Sequence, residues 1–85
     1  MPTISMFFGI LIRMFNDEHN PPHFHAIYSG KKAMFNFEGD IIEGTLPLKQ
    51  VRLIQAWTEI HREELEANWE LAINGEIPFK IKPLE

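Results

Sequence analysis

The chain has 85 residues, 45% of them hydrophobic and 12% aromatic, which is enough apolar material for one small domain over residues 1–85 and excludes a disordered chain. It contains no cysteine, which excludes disulfides and thiolate metal sites. The net charge of −4 does not favour a nucleic-acid surface, because phosphate binding depends on clustered Lys and Arg.

The first predicted strand covers about residues 6–15, where apolar side chains occupy both faces of the alternating pattern. Two apolar faces suit a central strand, or a strand that keeps one face for a partner. Arg13 ends the apolar run far short of a membrane span, and no basic start or small-residue cleavage site marks a signal peptide. We therefore expect a cytoplasmic protein with no membrane segment.

Three further strands are predicted, over about residues 23–29, 31–38 and 41–46. Gly30 and Gly39 mark the turns between them, because glycine accepts the positive φ that tight turns need. Turns this short favour an antiparallel meander as the topology of the sheet.

A long helix is predicted over about residues 47–74, with Pro47 in its first turn and Gly75 beyond its end. Trp57 and Trp69 fall on its apolar stripe and are expected to be core anchors. Basic residues early and acidic residues late in this segment oppose the helix macrodipole. We therefore expect a bend near residues 60–62, either as a kink or as the junction of two helices.

Together these elements predict an α+β domain, in which the helix packs on one face of an antiparallel sheet of three to four strands. The segment after the helix, residues 77–83, alternates apolar and basic residues. This pattern is interpreted as a short edge strand, a strap over the core or a strand lent to a partner.

The most unusual stretch, residues 17–25, holds three of the four histidines and the one Pro-Pro pair. Pro21 and Pro22 stiffen the backbone, which lowers the entropy lost when the neighbouring imidazoles bind something. If a strand begins here, His23 and His25 share one face, with their roots roughly 6.5 Å apart. His19 lies close enough in sequence to add a third contact to the same metal ion or anion.

These residue types allow several kinds of site. Three imidazoles with an open position suit zinc, nickel or iron(II), so His19, His23 and His25 are the candidate metal ligands. His61, on the apolar stripe of the helix, is a further ligand-binding candidate, or a core histidine bonded to the backbone. Imidazoles also act as general acid and base, so the catalytic candidates are His23, His25 and His61, with Arg13 or Lys32 as the anion stabiliser. The alternative is structural, with each ring fixing the turn through a backbone carbonyl.

Several segments together carry a family resemblance. They are PTIS at 2–5, FFGI at 7–10, NPPHFHA at 20–26, EIHREEL at 59–65, NW at 68–69 and IKPL at 81–84. The chain resembles the bacterial family named domain of unknown function 4160. The family pattern H-x-P-P-H-F-H is matched by His19, Pro21, Pro22, His23 and His25.

The resemblance implies a gene neighbour that encodes domain of unknown function 2442, in a pair resembling a toxin–antitoxin module. We therefore expect a small interaction protein that acts through a protein partner and a histidine-rich pocket for a metal or an anion. The enzyme alternative is a ribonuclease-like or metal-dependent hydrolytic protein that uses the histidines. A homodimer is a further expectation, because a domain this small buries little surface alone.

Overall fold

The computed structural model describes residues 2–15 and 20–85. These residues form five strands and two helices. In chain order they are β1 (Thr3–Phe7), β2 (Ile10–Arg13), β3 (His23–Tyr28), β4 (Lys31–Asn36), β5 (Ile41–Gly44), α1 (Leu48–Ile60) and α2 (Arg62–Ile73). The strands form one antiparallel sheet in the order β1-β2-β3-β4-β5. The predicted α+β class and antiparallel sheet are confirmed, and the sheet has five strands instead of the predicted three to four.

The extra strand arises because the predicted strand over residues 6–15 is in fact a hairpin. Phe8 and Gly9 both have positive φ, +48° and +78°, as a two-residue hairpin turn of type I′ requires. The prediction was wrong here because an L-residue other than Asn or Asp rarely adopts this conformation. An uninterrupted apolar run also carries no sign of a chain reversal.

The second hairpin turn lies where it was predicted. Ser29 and Gly30 have φ of +50° and +80° and join β3 to β4. At the other end of β4, the side-chain oxygen of Asn36 accepts hydrogen bonds from the backbone N–H groups of Glu38 (3.0 Å) and Asp40 (2.9 Å). These side-chain hydrogen bonds take the place of backbone hydrogen bonds to a neighbouring strand, so β4 ends at residue 36 instead of the predicted 38.

The predicted long helix is two helices that meet at His61. His61 has φ −109° and ψ 24°, and this junction lies within the predicted bend at residues 60–62. The hydrogen bonds continue across it, since His61 N–H donates to Trp57 O (3.0 Å) and Leu65 N–H donates to His61 O (2.9 Å). Glu63 and Glu64 lie in the first turn of α2, where negative charge is favourable.

The core lies between the helices and one face of the sheet. Phe24 is fully buried, stacked on Phe35 at 5.6 Å between ring centroids and in edge contact with Trp57 at 5.7 Å. Phe7 of β1 reaches the same indole at 5.4 Å. The tail crosses this core as a strap: Ile81 N–H donates to Ile4 O (2.7 Å), and the Trp57 indole N–H donates to Lys82 O (2.9 Å). No helix in the part of the chain that the structure describes is long and apolar enough to cross a membrane.

Candidate functional site

One face of the sheet packs against α1 and α2, and the opposite face does not. We call this second surface the helix-free face. It is formed by two rows of cross-strand neighbours. One row is Arg13, His25, Met34 and Glu43, on β2 to β5, and the other is Met6, Leu11, Ile27 and Lys32, on β1 to β4. Residues opposite one another in such rows have Cβ atoms about 4.5–5.5 Å apart, so their side chains are in reach of each other.

Arg13 and His25 are therefore direct cross-strand neighbours. The Nε atom of Arg13 is buried and has no hydrogen-bond partner among residues 2–15 and 20–85. A buried donor without an acceptor costs about 1–3 kcal/mol, and more when it belongs to a charged group. Nε of Arg13 is thus a buried donor on the helix-free face that lacks an acceptor among the described residues.

His23 lies next to His25 but is more deeply enclosed. Its side chain is 3% exposed, and its Nδ1 lies 2.8 Å from the carbonyl oxygen of Pro21. Because a carbonyl only accepts, Nδ1 carries the proton of this hydrogen bond. The ring also packs against Trp69 of α2, at 5.3 Å between centroids. This bond to a carbonyl is what the structural interpretation of the histidines expects for His23.

The two neighbouring imidazoles nevertheless come together. The rings of His23 and His25 are 5.3 Å apart between centroids, at an angle of 70°. His25 is half-buried, and its ring makes a T-shaped contact with Phe15 at 4.6 Å between centroids. Alternation along β3 gives both residues the same face of the strand, while Phe24 between them enters the core. His23, the first residue of β3, also contacts Trp69 of α2 and so lies at the boundary of the helix-free face.

A cleft of about 470 Å³ opens beside His25 on the helix-free face. Arg13 and Lys32 line it with positive charge, and Glu43 lines it with negative charge. Ile27 and Met34 form apolar walls between them. A cleft with apolar walls and a few charged groups is the usual form of a ligand site.

His61 is placed apart from the other histidines. It lies at the junction of α1 and α2, on the helical side of the sheet, with its ring 5.7 Å from that of Trp57. Its Nδ1 lies 2.6 Å from a carboxylate oxygen of Glu64. The cleft that it borders is lined by tail residues such as Lys82 and Leu84. The structure therefore unites Arg13, His23 and His25 and leaves His61 in a different environment.

The predicted metal site stays a prediction. His19, one of its three proposed ligands, lies outside the described residues. Among the residues that are described, no three His, Asp or Glu side chains form a group that could hold a metal ion. His23 and His25 supply two neighbouring imidazoles, and a zinc or nickel site needs at least one more ligand.

Of the residues that line the cleft, sequence reasoning gave a site role to Arg13, His25 and Lys32, and did not assign others such as Phe15, Met34 and Glu43. Alternation along one strand shows which side chains share a face, but only the register between strands shows that Met34 lies beside His25 and Glu43 beside Met34. The sequence therefore predicted which face of its strand Met34 lies on, but not which residues are its neighbours across the sheet.

No curated protein and no solved structure matches this chain. A family model described as Domain of unknown function (DUF4160) matches residues 9–70, from the β1–β2 turn to the third turn of α2. The matched part contains Arg13, the proline–histidine stretch and His61. The chain therefore belongs to the family described as Domain of unknown function (DUF4160).

Proposed function

We propose that this chain is a small interaction protein of a two-gene, toxin–antitoxin-like bacterial module, and that it binds its protein partner through the helix-free face. The observation that carries the proposal is the composition of that face. It combines Leu11, Ile27 and Met34, all half-buried, with Arg13, whose Nε has no acceptor among the described residues. Apolar side chains at the centre with Arg among them are typical of protein interfaces.

The dimensions of the helix-free face support the same proposal. Five strands about 4.8 Å apart make a surface about 20 Å wide, which is the scale of a small protein interface. Met6 extends the apolar area at one edge and is 61% exposed. An exposed apolar area that continues a half-buried one is a mark of an interaction surface.

Capture of the product of the neighbouring gene, domain of unknown function 2442, tests the proposal. We expect the two proteins to co-purify in mild salt. Met34→Glu places a charge at the centre of the helix-free face and should abolish capture. Leu48→Glu changes an exposed apolar residue on α1, away from that face, and is the matched control.

Two results would count against the interaction function. One is a wild-type protein that stays a solitary monomer with the neighbour present. The other is equal capture by Met34→Glu and Leu48→Glu, with both variants shown to be folded by their thermal unfolding. If the isolated protein instead forms a dimer that Met34→Glu dissociates, the partner on this face is a second copy of the chain.

The proposal includes a histidine-rich pocket at the end of the helix-free face, where His23 and His25 lie side by side and the candidate ligand His19 is near in sequence. Elemental analysis of protein purified without a histidine tag tests whether the pocket holds metal. Stoichiometric zinc or nickel that is lost in His25→Ala would support metal binding. Its absence would leave an anion as the proposed ligand.

A second candidate function is hydrolysis, and the pairing of Arg13 with His25 favours it. A base beside an anion-stabilising guanidinium is an arrangement that hydrolytic enzymes use. The test is cleavage of RNA by the wild-type protein, with and without divalent metals, against His25→Ala and His23→Ala. RNA that stays intact under every condition would rule out the ribonuclease-like version.

A further inference from the structure

The cleft on the helix-free face has an uneven distribution of charge. Arg13 on β2 and Lys32 on β4 flank β3 from opposite sides. Their strands are about 10 Å apart, and both side chains are long enough to converge over the central strand. Glu43 lies on β5, beyond Met34 and away from Arg13. The cleft therefore offers a positive region over β3 and a negative boundary at β5.

The positive region contains a hydrogen-bond donor that has no acceptor among the described residues. Nε of Arg13 is buried and lacks an acceptor within the described chain, while Arg13 as a whole is half-buried and lines the open cleft. A ligand oxygen at the part of the guanidinium that lines the cleft forms a charge-assisted hydrogen bond with a group that the fold leaves incompletely paired. A carboxylate has two oxygens in the geometry of the guanidinium fork, so it can bind two of the donors at once.

The other residues that line the cleft determine which kind of molecule can present the carboxylate. Ile27 and Met34 face the space between the charged residues, so the bound group must have an apolar body beside its charge. Glu43 disfavours a second negative charge at the far end of the cleft. Glu43 and the net charge of −4 both disfavour a phosphate chain as the ligand.

We infer that the cleft binds one carboxylate with aliphatic neighbours, as in an Asp or Glu side chain between apolar residues of a partner protein. Arg13 binds the carboxylate, Lys32 adds positive charge, and Ile27 and Met34 pack on the aliphatic side chains. This inference rests on the proposed interaction function and gives it a recognition chemistry.

Two synthetic pentapeptides with blocked termini supply the probe, one with the sequence Gly-Leu-Glu-Leu-Gly and the other with Gln in place of Glu. They are titrated into the full ¹⁵N-labelled chain, and the Nε–H signals of its three arginines are followed by NMR. We expect the Glu peptide to shift the Arg13 signal in a saturable manner and to bind about tenfold more tightly than the Gln peptide, because only the carboxylate gives a charge-assisted pair. Equal affinity of the two peptides would overturn the inference.

Variants identify the residue that binds the carboxylate. Arg13→Lys keeps the charge but removes the fork, and should weaken the Glu peptide about tenfold. Lys32→Gln, at an exposed position that should tolerate the change, should weaken it less. Arg52→Gln removes an exposed arginine of α1 and should leave the affinity unchanged. Unchanged affinity in both Arg13→Lys and Lys32→Gln would contradict the assignment.

Capture of the neighbouring gene product separates this inference from the interaction function. If wild type and Arg13→Lys capture the product equally, and neither peptide binds, the carboxylate cleft is wrong and the interaction function stands. If the Glu peptide binds and the product is not captured, the proposed partner is wrong and the chemistry of the cleft stands.

Discussion

Asn68 pairs with both backbone polar groups of Phe79. Its Nδ2 donates to the carbonyl oxygen of Phe79 and its Oδ1 accepts from the Phe79 N–H, both at 2.8 Å. Asn68 is fully buried in α2, and Phe79 belongs to the tail. One carboxamide therefore gives the tail the two hydrogen bonds that a neighbouring strand would have supplied. Bonds to Ile4 and Trp57 then fix the tail to β1 and α1 as well.

Removal of this carboxamide should be costly. Asn68→Ala leaves two backbone groups of Phe79 without their partner, and we expect the free energy of unfolding to fall by about 2–4 kcal/mol. The matched control is Asn74→Ala, because Asn74 is exposed and its Nδ2 donates to Glu70 O (2.9 Å). The control should lose no more than about 0.5–1 kcal/mol in urea unfolding. Similar losses in the two variants would show that the tail does not depend on Asn68.

The close approach of β5 to β4 depends on Gly44. Gly44 has φ +81°, and a Cβ at this position would collide with the carbonyl oxygen of Lys32 and lie 3.0 Å from Cα of Ala33. Gly30 has nearly the same φ, +80°, with nothing near the position of its Cβ. Gly30→Ala therefore measures the cost of the backbone conformation alone, about 1–2 kcal/mol.

Gly44→Ala should cost clearly more than Gly30→Ala, because it adds a collision with backbone to the same conformational strain. We expect an additional loss of about 1–3 kcal/mol in the free energy of unfolding, together with faster amide exchange in β5. Equal losses would mean that β5 can shift away from β4 at little cost.

Phe8 has a positive φ, a backbone conformation that Asn or Gly adopts at a lower cost than Phe. Its φ is +48° and its side chain is 60% exposed, so the ring gains little from burial in the isolated chain. Phe8→Asn should raise the free energy of unfolding by about 0.5–1 kcal/mol, because Asn adopts this conformation at lower cost in a hairpin turn. Met6→Asn, at a similarly exposed position in β1, lacks this gain and serves as the control. A loss of stability in Phe8→Asn would show that the ring supports the fold.

The sequence predicts an element well where local chemistry alone decides it. The Ser29-Gly30 turn contains a residue suited to positive φ, and the junction at His61 follows a reversal of charge order along the helix, so both lie where they were predicted. The Phe8-Gly9 turn was missed because phenylalanine rarely adopts the positive φ that Phe8 has in this turn. The fold tolerates this cost because the hairpin places Phe7 against the buried Trp57.

The candidate site was predictable only in part, for a related reason. The spacing of His23 and His25 is a property of a single strand, and their rings do lie together. The pairing of Arg13 with His25 depends on the register of β2 against β3, which follows from the length of the intervening segment and from packing in the core. His61 has a side chain of the type that binding and catalytic sites use. Its position, however, is fixed by the path of the helices on the other side of the sheet.

His23 and His25 should differ in what they contribute. His23 is buried, with its Nδ1 bonded to Pro21 O and its ring against Trp69, so His23→Ala should lower the free energy of unfolding by about 2–4 kcal/mol. His25 is half-buried on the helix-free face, and His25→Ala should cost only about 1 kcal/mol. Urea unfolding measures both values, and capture of the neighbouring gene product measures function. We expect His25→Ala to weaken capture while the protein stays folded. If both variants lose stability equally and His25→Ala captures the partner as well as wild type, the two histidines are structural and the pocket has no binding role.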